Sequence, residues 1–505
     1  MRTKNSIYNV LSSLIANTIT IIIGLVAQAI FIKVLGEEFL GINGLFTNII
    51  SMLGIVELGI GSAVIYELYK PISENNQYKV NALMNFYRKC YHIIAIVVLV
   101  IGLSITPFLS FFVGKVNVNV DLNFVYILFI LDIVCSYVLS YKRSIINANQ
   151  KNYIVNLIHI FCLAVLNISQ IIVLLLTKDY YLYLIVKIIM RLLENILITY
   201  VANKLYTYLD NSNYKLDKET RNDIMKKVKA LFFHKIGGFI VLGSDNLIIS
   251  KFLGVITVGL YSNYYLVINA VQSLFCQAIN VLTPSVGNLL IEDDKTKIYS
   301  IFKKVRFINF WITCFSGTAI LVIMDSFVSV WIGNEYILPI LVLIVLIFNY
   351  YQKSMRSSYM VFKEAAGIYY EDRFVPLMES VLNIVFSIIL CKSFGLAGVF
   401  MGTIISGLAL WCYSYPKYVY KKLFDRSYIN YVKETIGYII LFILIASGTY
   451  YLSTIINFSN IYLEFISNVI ISLIVPNILL LIIFFKTDNF KYYSNLLKNV
   501  IKKTR

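Results

Sequence analysis

The sequence predicts an all-α integral membrane protein of about fourteen transmembrane helices: two parallel six-helix lobes followed by two C-terminal helices. Composition, hydropathy and an internal repeat carry that prediction. Of 505 residues, 59% are hydrophobic and only 14% charged, with a mean hydropathy of +0.76. A water-facing surface normally needs about 25% charged residues. Apolar runs of roughly 20 residues, each long enough to cross a ~30 Å hydrocarbon layer, recur from end to end.

In chain order the predicted spans are 10–33, 40–66, 88–113, 122–141, 153–177, 180–203, 230–253, 259–285, 306–332, 337–360, 374–393, 397–417, 435–456 and 463–485. The first follows Arg2 and Lys4 and leads into Gly36-Glu37-Glu38, not into a small-residue cleavage site, so it reads as a membrane helix and not a signal peptide. With the N-terminus in the cytoplasm, only Lys33, Lys115, Lys178, Lys251 and Lys392 of the 44 Lys and Arg fall outside, and Lys187 and Arg191 lie within a span. The rest crowd the cytoplasmic loops, helix ends and tails, which places both termini in the cytoplasm. The net charge of +17 is therefore mostly a topology signal, not a nucleic-acid footprint. The runs Lys215–Lys229 and Lys498–Arg505 are solvated cytoplasmic segments able to touch anionic membrane lipid.

The repeat is short but in phase with the topology. Lys33-Val-Leu-Gly36 with Gly41-Ile42 recurs 218 residues later as Lys251-Phe-Leu-Gly254 with Gly259-Leu260. Each copy joins an outward-going helix to an inward-going one, where glycine permits a tight turn and close helix approach. A weaker echo is Lys392-Ser-Phe-Gly395 with Gly398-Val399. The resulting division is an N-lobe at 1–203, a cytoplasmic linker at 204–229, a C-lobe at 230–420, and a last pair of spans with the tail at 421–505. Parallel halves of this kind are a transporter architecture with the substrate site between them.

Ionisable groups within spans are costly and face a cavity or a partner. Lys187, Arg191 and Glu194 fall at i, i+4 and i+7, on one helix face. Asn349, Lys353 and Arg356 repeat the spacing nearer the cytoplasm. Like charges four apart repel, so an anion or an acidic side chain belongs between or opposite them. A cationic cavity for phosphate is one reading, since Arg offers a planar fork and Lys a compact charge. The other is internal: Arg191 paired with Glu194, Lys187 reaching outward, and Arg356 extending to the inner interface. Asn17, Thr20 and Gln28 form a neutral polar stripe on the first span, and Asn269, Gln272, Gln277 and Asn280 one on the eighth. Such stripes either line a sugar-binding path or hold helices together. Among the acids in or at spans (Glu57, Asp132, Glu194, Asp245, Asp325 and Glu379), Glu57 and Asp245 are the best candidates for a coupling ion or a salt bridge. His159 with Asn156 is either a proton relay or a packed histidine.

Catalysis has no motif here. The chain lacks GxxxxGK[ST], HExxH and GxSxG, and its seven cysteines are scattered without CxxC pairing. No catalytic residue, metal site or cofactor is expected. The short outer connections leave no room for the extracellular catalytic loop of a polymerase.

Several segments carry a family resemblance. Lys33-Val-Leu-Gly-Glu-Glu-Phe-Leu-Gly41 with Gly54-Ile-Val-Glu57-Leu-Gly-Ile-Gly61 is one, and Gly243-Ser-Asp245-Asn246-Leu-Ile-Ile running to Leu253-Gly254 and Val258-Gly-Leu-Tyr261-Ser is another. Phe394-Gly-Leu-Ala-Gly-Val-Phe-Met-Gly-Thr-Ile-Ile-Ser406 is a third. Together they resemble the polysaccharide transporter (Wzx-type) family of the multidrug/oligosaccharidyl-lipid/polysaccharide exporter superfamily. The resemblance implies a two-lobed bundle with a central cationic cavity and alternating access. Its cargo would be undecaprenyl-diphosphate oligosaccharide, flipped to the outer leaflet of a bacterial cytoplasmic membrane for capsule or exopolysaccharide synthesis, beside a polysaccharide polymerase and glycosyltransferases. Lys187, Arg191, Lys353 and Arg356 would hold the diphosphate, and H+ or Na+ would supply coupling at Glu57, Asp245 or Glu194. The last two spans would contact the lipid tail, as in the lipid II flippase branch. That branch carries arginines in its first two spans, whereas this chain has none there, which argues against lipid II as cargo. A cation-coupled drug extruder on the same fold is the alternative function, and a membrane polymerase or glycosyltransferase a more distant one.

Overall fold

Each of the fourteen predicted spans overlaps a helix in the computed structural model. It describes all residues except 1, 58–59, 115, 117, 210–213, 291–293, 369–370, 457 and 505. Side chains are described except also at 2–17, 62–63, 227, 229–240, 242, 284, 497 and 499–504. Among the described residues there is no strand, and nine helices are long and apolar enough to cross a membrane, ten if one bent pair counts as a span. One of the nine, Val375–Lys421, doubles back at Gly395 (φ 56°) and supplies two predicted spans. Tyr180–Leu205 is not among them because it carries Lys187, Arg191 and Glu194.

The chain divides into two compact units, Met1–Ser262 and Asn263–Arg505. The first contains α1 (Arg2–Leu35), α2 (Glu37–Leu53), α3 (Ile60–Ser73), α4 (Gln77–Ile105), α5 (Leu109–Val113), α6 (Leu122–Val138), α7 (Tyr141–Ala148), α8 (Asn152–Thr177), α9 (Tyr180–Leu205), α10 (Lys218–Leu253) and the first turns of α11 (Val255–Asn280). α1 lies along α8, α9 packs on both α6 and α8, and α10 packs on α2. The predicted span 40–66 is broken: a 3-10 turn, Gly54–Glu57, separates α2 from α3. Three glycines within eight residues (Gly54, Gly59 and Gly61) make continuous helix costly there. Helix α6 ends at Val138, and α7 leaves at 44°. Polar caps set several starts; Asp179 accepts from the Tyr181 and Leu182 N–H groups at 2.7 and 3.2 Å. At the head of α10, the Thr220 backbone N–H holds the Asp217 carboxyl below its ordinary range.

The sequence repeat is also a structural one. Gly36 and Gly254 turn the chain at φ 89° and 92°, a region closed to most side chains. Beyond each turn the two copies pack on one another: a Cβ on Gly41 would overlap the Val255 carbonyl, and one on Gly259 the Glu37 carbonyl. Gly259 and Val255 are the 218-residue counterparts of Gly41 and Glu37. The contact is thus reciprocal, as a local two-fold demands.

The second unit holds the rest of α11, α12 (Thr283–Leu290), α13 (Lys295–Trp331), α14 (Ile340–Ala365), α15 (Val375–Ala409), α16 (Tyr428–Ile455), α17 (Ile461–Phe484) and α18 (Asp488–Thr504). α13 is its centre, flanked by α14, α16 and α17. After α15 the chain continues as a π-helical stretch, Leu410–Lys421, around Pro416, whose missing N–H the wider turn accommodates. The sequence reading saw only a charge run at the C-terminus. In fact α18 docks on α13, with Phe490 stacked on Trp311 and the Tyr493 hydroxyl donating to the Lys304 carbonyl at 3.1 Å. Several helices also start earlier than their spans, α13 at Lys295 and α4 at Gln77. Their polar first turns give no hydropathy signal.

Candidate functional site

A cavity of about 620 Å³ opens within the first unit, walled by α2, the Gly54–Glu57 turn, α3, α4, α6, α7 and α9. Three cations line it: Arg143, Lys187 and Arg191. Two of them stand on one face of α9 because four residues make about one helical turn. Across from them, Asp132 on α6 pairs with both: Lys187 Nζ lies 3.2 Å from Oδ2, and Arg191 Nε donates to Oδ1 at 3.3 Å. Lys187 also lies over the Phe129 ring, 5.0 Å from its centroid.

Arg143 reaches the cavity by way of the bend between α6 and α7. Its Nη2 donates to Glu194 Oε1 at 2.8 Å and to Asn195 Oδ1 at 3.0 Å. Asn195 in turn donates to the Cys135 and Ser136 carbonyls at the end of α6 (3.0 and 3.3 Å), groups near the helix end. His159 Nδ1 lies 3.1 Å from the same Glu194 oxygen. Glu57 faces the cavity from the broken span and accepts the Tyr91 hydroxyl, to which the Tyr87 hydroxyl donates at 3.0 Å. The wall thus joins three cations to two acids, with tyrosine and serine hydroxyls between them. That combination has the chemistry to suit an anionic, hydroxyl-bearing ligand.

The predicted residues are distributed unevenly. Lys187, Arg191 and Glu57 come together at the cavity, and Glu194 stands behind Arg143. The ion pair of Arg191 goes to Asp132 and that of Glu194 to Arg143, so the acid expected opposite the cation pair is Asp132. Thr20 is exposed and Gln28 half-buried on α1, and neither belongs to this wall; the Asn17 side chain lies outside the described residues. Asp245 is buried on α10 away from the wall. Lys353, Arg356, Asn269, Gln272, Gln277 and Asn280 belong to the second unit. There Arg356 Nη2 donates to Glu379 at 2.7 Å and Lys353 is half-buried one turn earlier. On α11, Asn269 and Asn280 are exposed and the two glutamines half-buried.

Sequence reasoning missed Arg143 altogether. It counted with the cytoplasmic charges because it lies beyond the apolar run, and the bend that swings it inward has no hydropathy signature. A second hollow, about 770 Å³, lies at the Gly36 turn and is lined by Glu37, Glu38 and Asp179 with Lys178. Its acidic balance suits no phosphate.

Comparison with known proteins places this geometry. Residues 6–289 match the family described as polysaccharide biosynthesis protein. No curated protein matches the sequence. Among solved structures, the lipid II flippase MurJ in an inward closed conformation is similar at TM-score 0.69 and 16% identity, over 97% of this chain and 100% of that one. An inward-facing multidrug resistance MATE family transporter of the MOP superfamily is similar at TM-score 0.62 and 13% identity, over 77% and 92%. The Vibrio cholerae MATE transporter VcmN is similar at TM-score 0.57 and 13% identity, over 84% and 98%. These likenesses show a shared fold. A multi-pass all-α membrane protein with the fold of the MOP transporters, the chain belongs to the polysaccharide biosynthesis protein family.

Proposed function

We propose that the protein is a flippase for undecaprenyl-diphosphate-linked oligosaccharide repeat units, moving them from the inner to the outer leaflet of a bacterial cytoplasmic membrane by alternating access, for capsule or exopolysaccharide synthesis. One observation carries the reading: Arg143, Lys187 and Arg191 converge on a single 620 Å³ cavity in a chain without catalytic motifs. Pockets of ~300–1,000 Å³ hold ligands of drug size, so this one suits a diphosphate and its first sugar. Family membership supports a polysaccharide cargo, and the fold supports transport.

In this scheme Arg143, Lys187 and Arg191 hold the diphosphate while Ser136, Ser140 and Asn147 on the wall meet sugar hydroxyls. Lys353 and Arg356 form a second basic pair, and the amides of α1 and α11, Asn17, Gln28, Asn269, Gln272, Gln277 and Asn280, with Thr20, serve the glycan path. Glu57, with its tyrosine hydroxyls, or Asp245 takes the coupling H+ or Na+. Both termini are cytoplasmic, and the lobe division at 1–203 and 230–420 belongs to the same proposal. The test is transfer of a fluorescent undecaprenyl-diphosphate oligosaccharide across liposomes under an imposed potential or ion gradient. Transfer by the parent, lost on Arg143→Gln, supports the reading; none by the parent overturns it. Glu57, Asp132 and three cavity tyrosines (Tyr87, Tyr91 and Tyr137) are the observation that favours a cation-coupled drug extruder, so efflux of cationic dyes by the same liposomes is the outcome that would select that function.

A further inference from the structure

The cavity holds one acid that both α9 cations share, and its geometry differs from that of the Arg143–Glu194 and Arg356–Glu379 pairs. Lys187 and Arg191 meet separate oxygens of Asp132 at 3.2 and 3.3 Å. Full-strength charge-assisted hydrogen bonds run at ~2.7–2.9 Å; the neighbouring Arg143–Glu194 pair, at 2.8 Å, is within that range. Lys187 and Arg191 stay 25% and 31% exposed, although the Asp132 carboxylate is nearly covered. A covered carboxylate that offers one oxygen to each of two open cations does what two oxygens of a phosphate would do.

We propose that Asp132 is a built-in competitor of the diphosphate, a placeholder that occupies Lys187 and Arg191 whenever cargo does not. The proposal rests on the diphosphate reading of the cavity. An incoming diphosphate carries more charge and more acceptor oxygens than a carboxylate, and it takes both cations from Asp132. On release Asp132 recovers them. The return stroke then moves a triad of net charge +1 through low dielectric instead of two unpaired positive charges, each of which would carry a desolvation cost. The placeholder weakens cargo binding and speeds the cycle, so removing it shifts the two in opposite directions.

The test uses the full chain in detergent, with farnesyl diphosphate as the probe for binding, and the liposome assay for turnover. Asp132→Asn keeps the shape of the side chain without its charge and binds the probe about tenfold tighter. Oligosaccharide transfer by the same variant falls several-fold. Asp132→Ser is a second charge-free variant with the same expectation, and Asp132→Glu keeps parent-like binding. Folded Asn and Ser variants that bind the probe no better than the parent, while Lys187→Met/Arg191→Gln loses it, overturn the placeholder and leave the diphosphate site standing. Undiminished binding by Lys187→Met/Arg191→Gln overturns the diphosphate site itself, and the placeholder with it. Failure of both charge-free variants to fold makes Asp132 a structural keystone and overturns the placeholder too.

Discussion

Arg191 and Arg356 are both arginines deep in a helix, one in each unit, and the two are treated in opposite ways. Arg191 stands at a cavity, 31% exposed, in a 3.3 Å pair that it shares with Lys187. Arg356 is more covered, 17% exposed, with its own acid at 2.7 Å and the backbone of Gly407 so close that a Cβ there would strike the guanidinium. Two other cations of the second unit are sealed further. Arg306, 1% exposed, is held by Glu434 at 2.7 Å and by the Tyr420 hydroxyl, and joins α13 to α16. Lys363 and Asp372 pair in full burial, with Ser414 donating to the same carboxylate at 2.7 Å. Closed pairs fix which helices neighbour one another; open pairs leave charge available to a ligand. The difference lies in geometry and exposure, not residue type.

This contrast can be broken by removing one charged partner at a time. Asp372→Ala strands a buried lysine, and the account expects the largest loss, about 3–5 kcal/mol, seen as early unfolding in a detergent thermal ramp. Glu379→Ala leaves Arg356 without its partner at a less sealed site, for a loss of about 1–3 kcal/mol in the same ramp. Lys187→Met at the cavity changes stability by no more than ~1 kcal/mol, yet lowers transfer in liposomes. A cavity variant as destabilising as Asp372→Ala would erase the distinction and make both units scaffolding.

Each predicted span already marked a helix, because length and apolarity are local properties. The repeat was legible for a related reason: a turn at positive φ followed by a close helix approach admits almost only glycine, so Gly36, Gly41, Gly254 and Gly259 stand out in sequence. Gly259→Leu should accordingly cost about 1–3 kcal/mol by overpacking against the Glu37 carbonyl. The Lys187 and Arg191 face was legible through helical spacing. Their partner was not, since six acids were available in or at spans and only tertiary packing selects Asp132. Arg143 was hidden by the bend after Val138, and the polar stripe of α1 lies outside this wall, to which α2, α4 and α6 contribute.

The central claim is that Arg143, Lys187 and Arg191 carry the diphosphate. Its most direct test is the rate of undecaprenyl-diphosphate oligosaccharide transfer by an Arg143→Gln/Lys187→Met/Arg191→Gln protein, with the unfolding midpoint measured on the same preparation. The account predicts transfer reduced to background in a protein that remains folded. Transfer at the parent rate by the folded triple variant would contradict it.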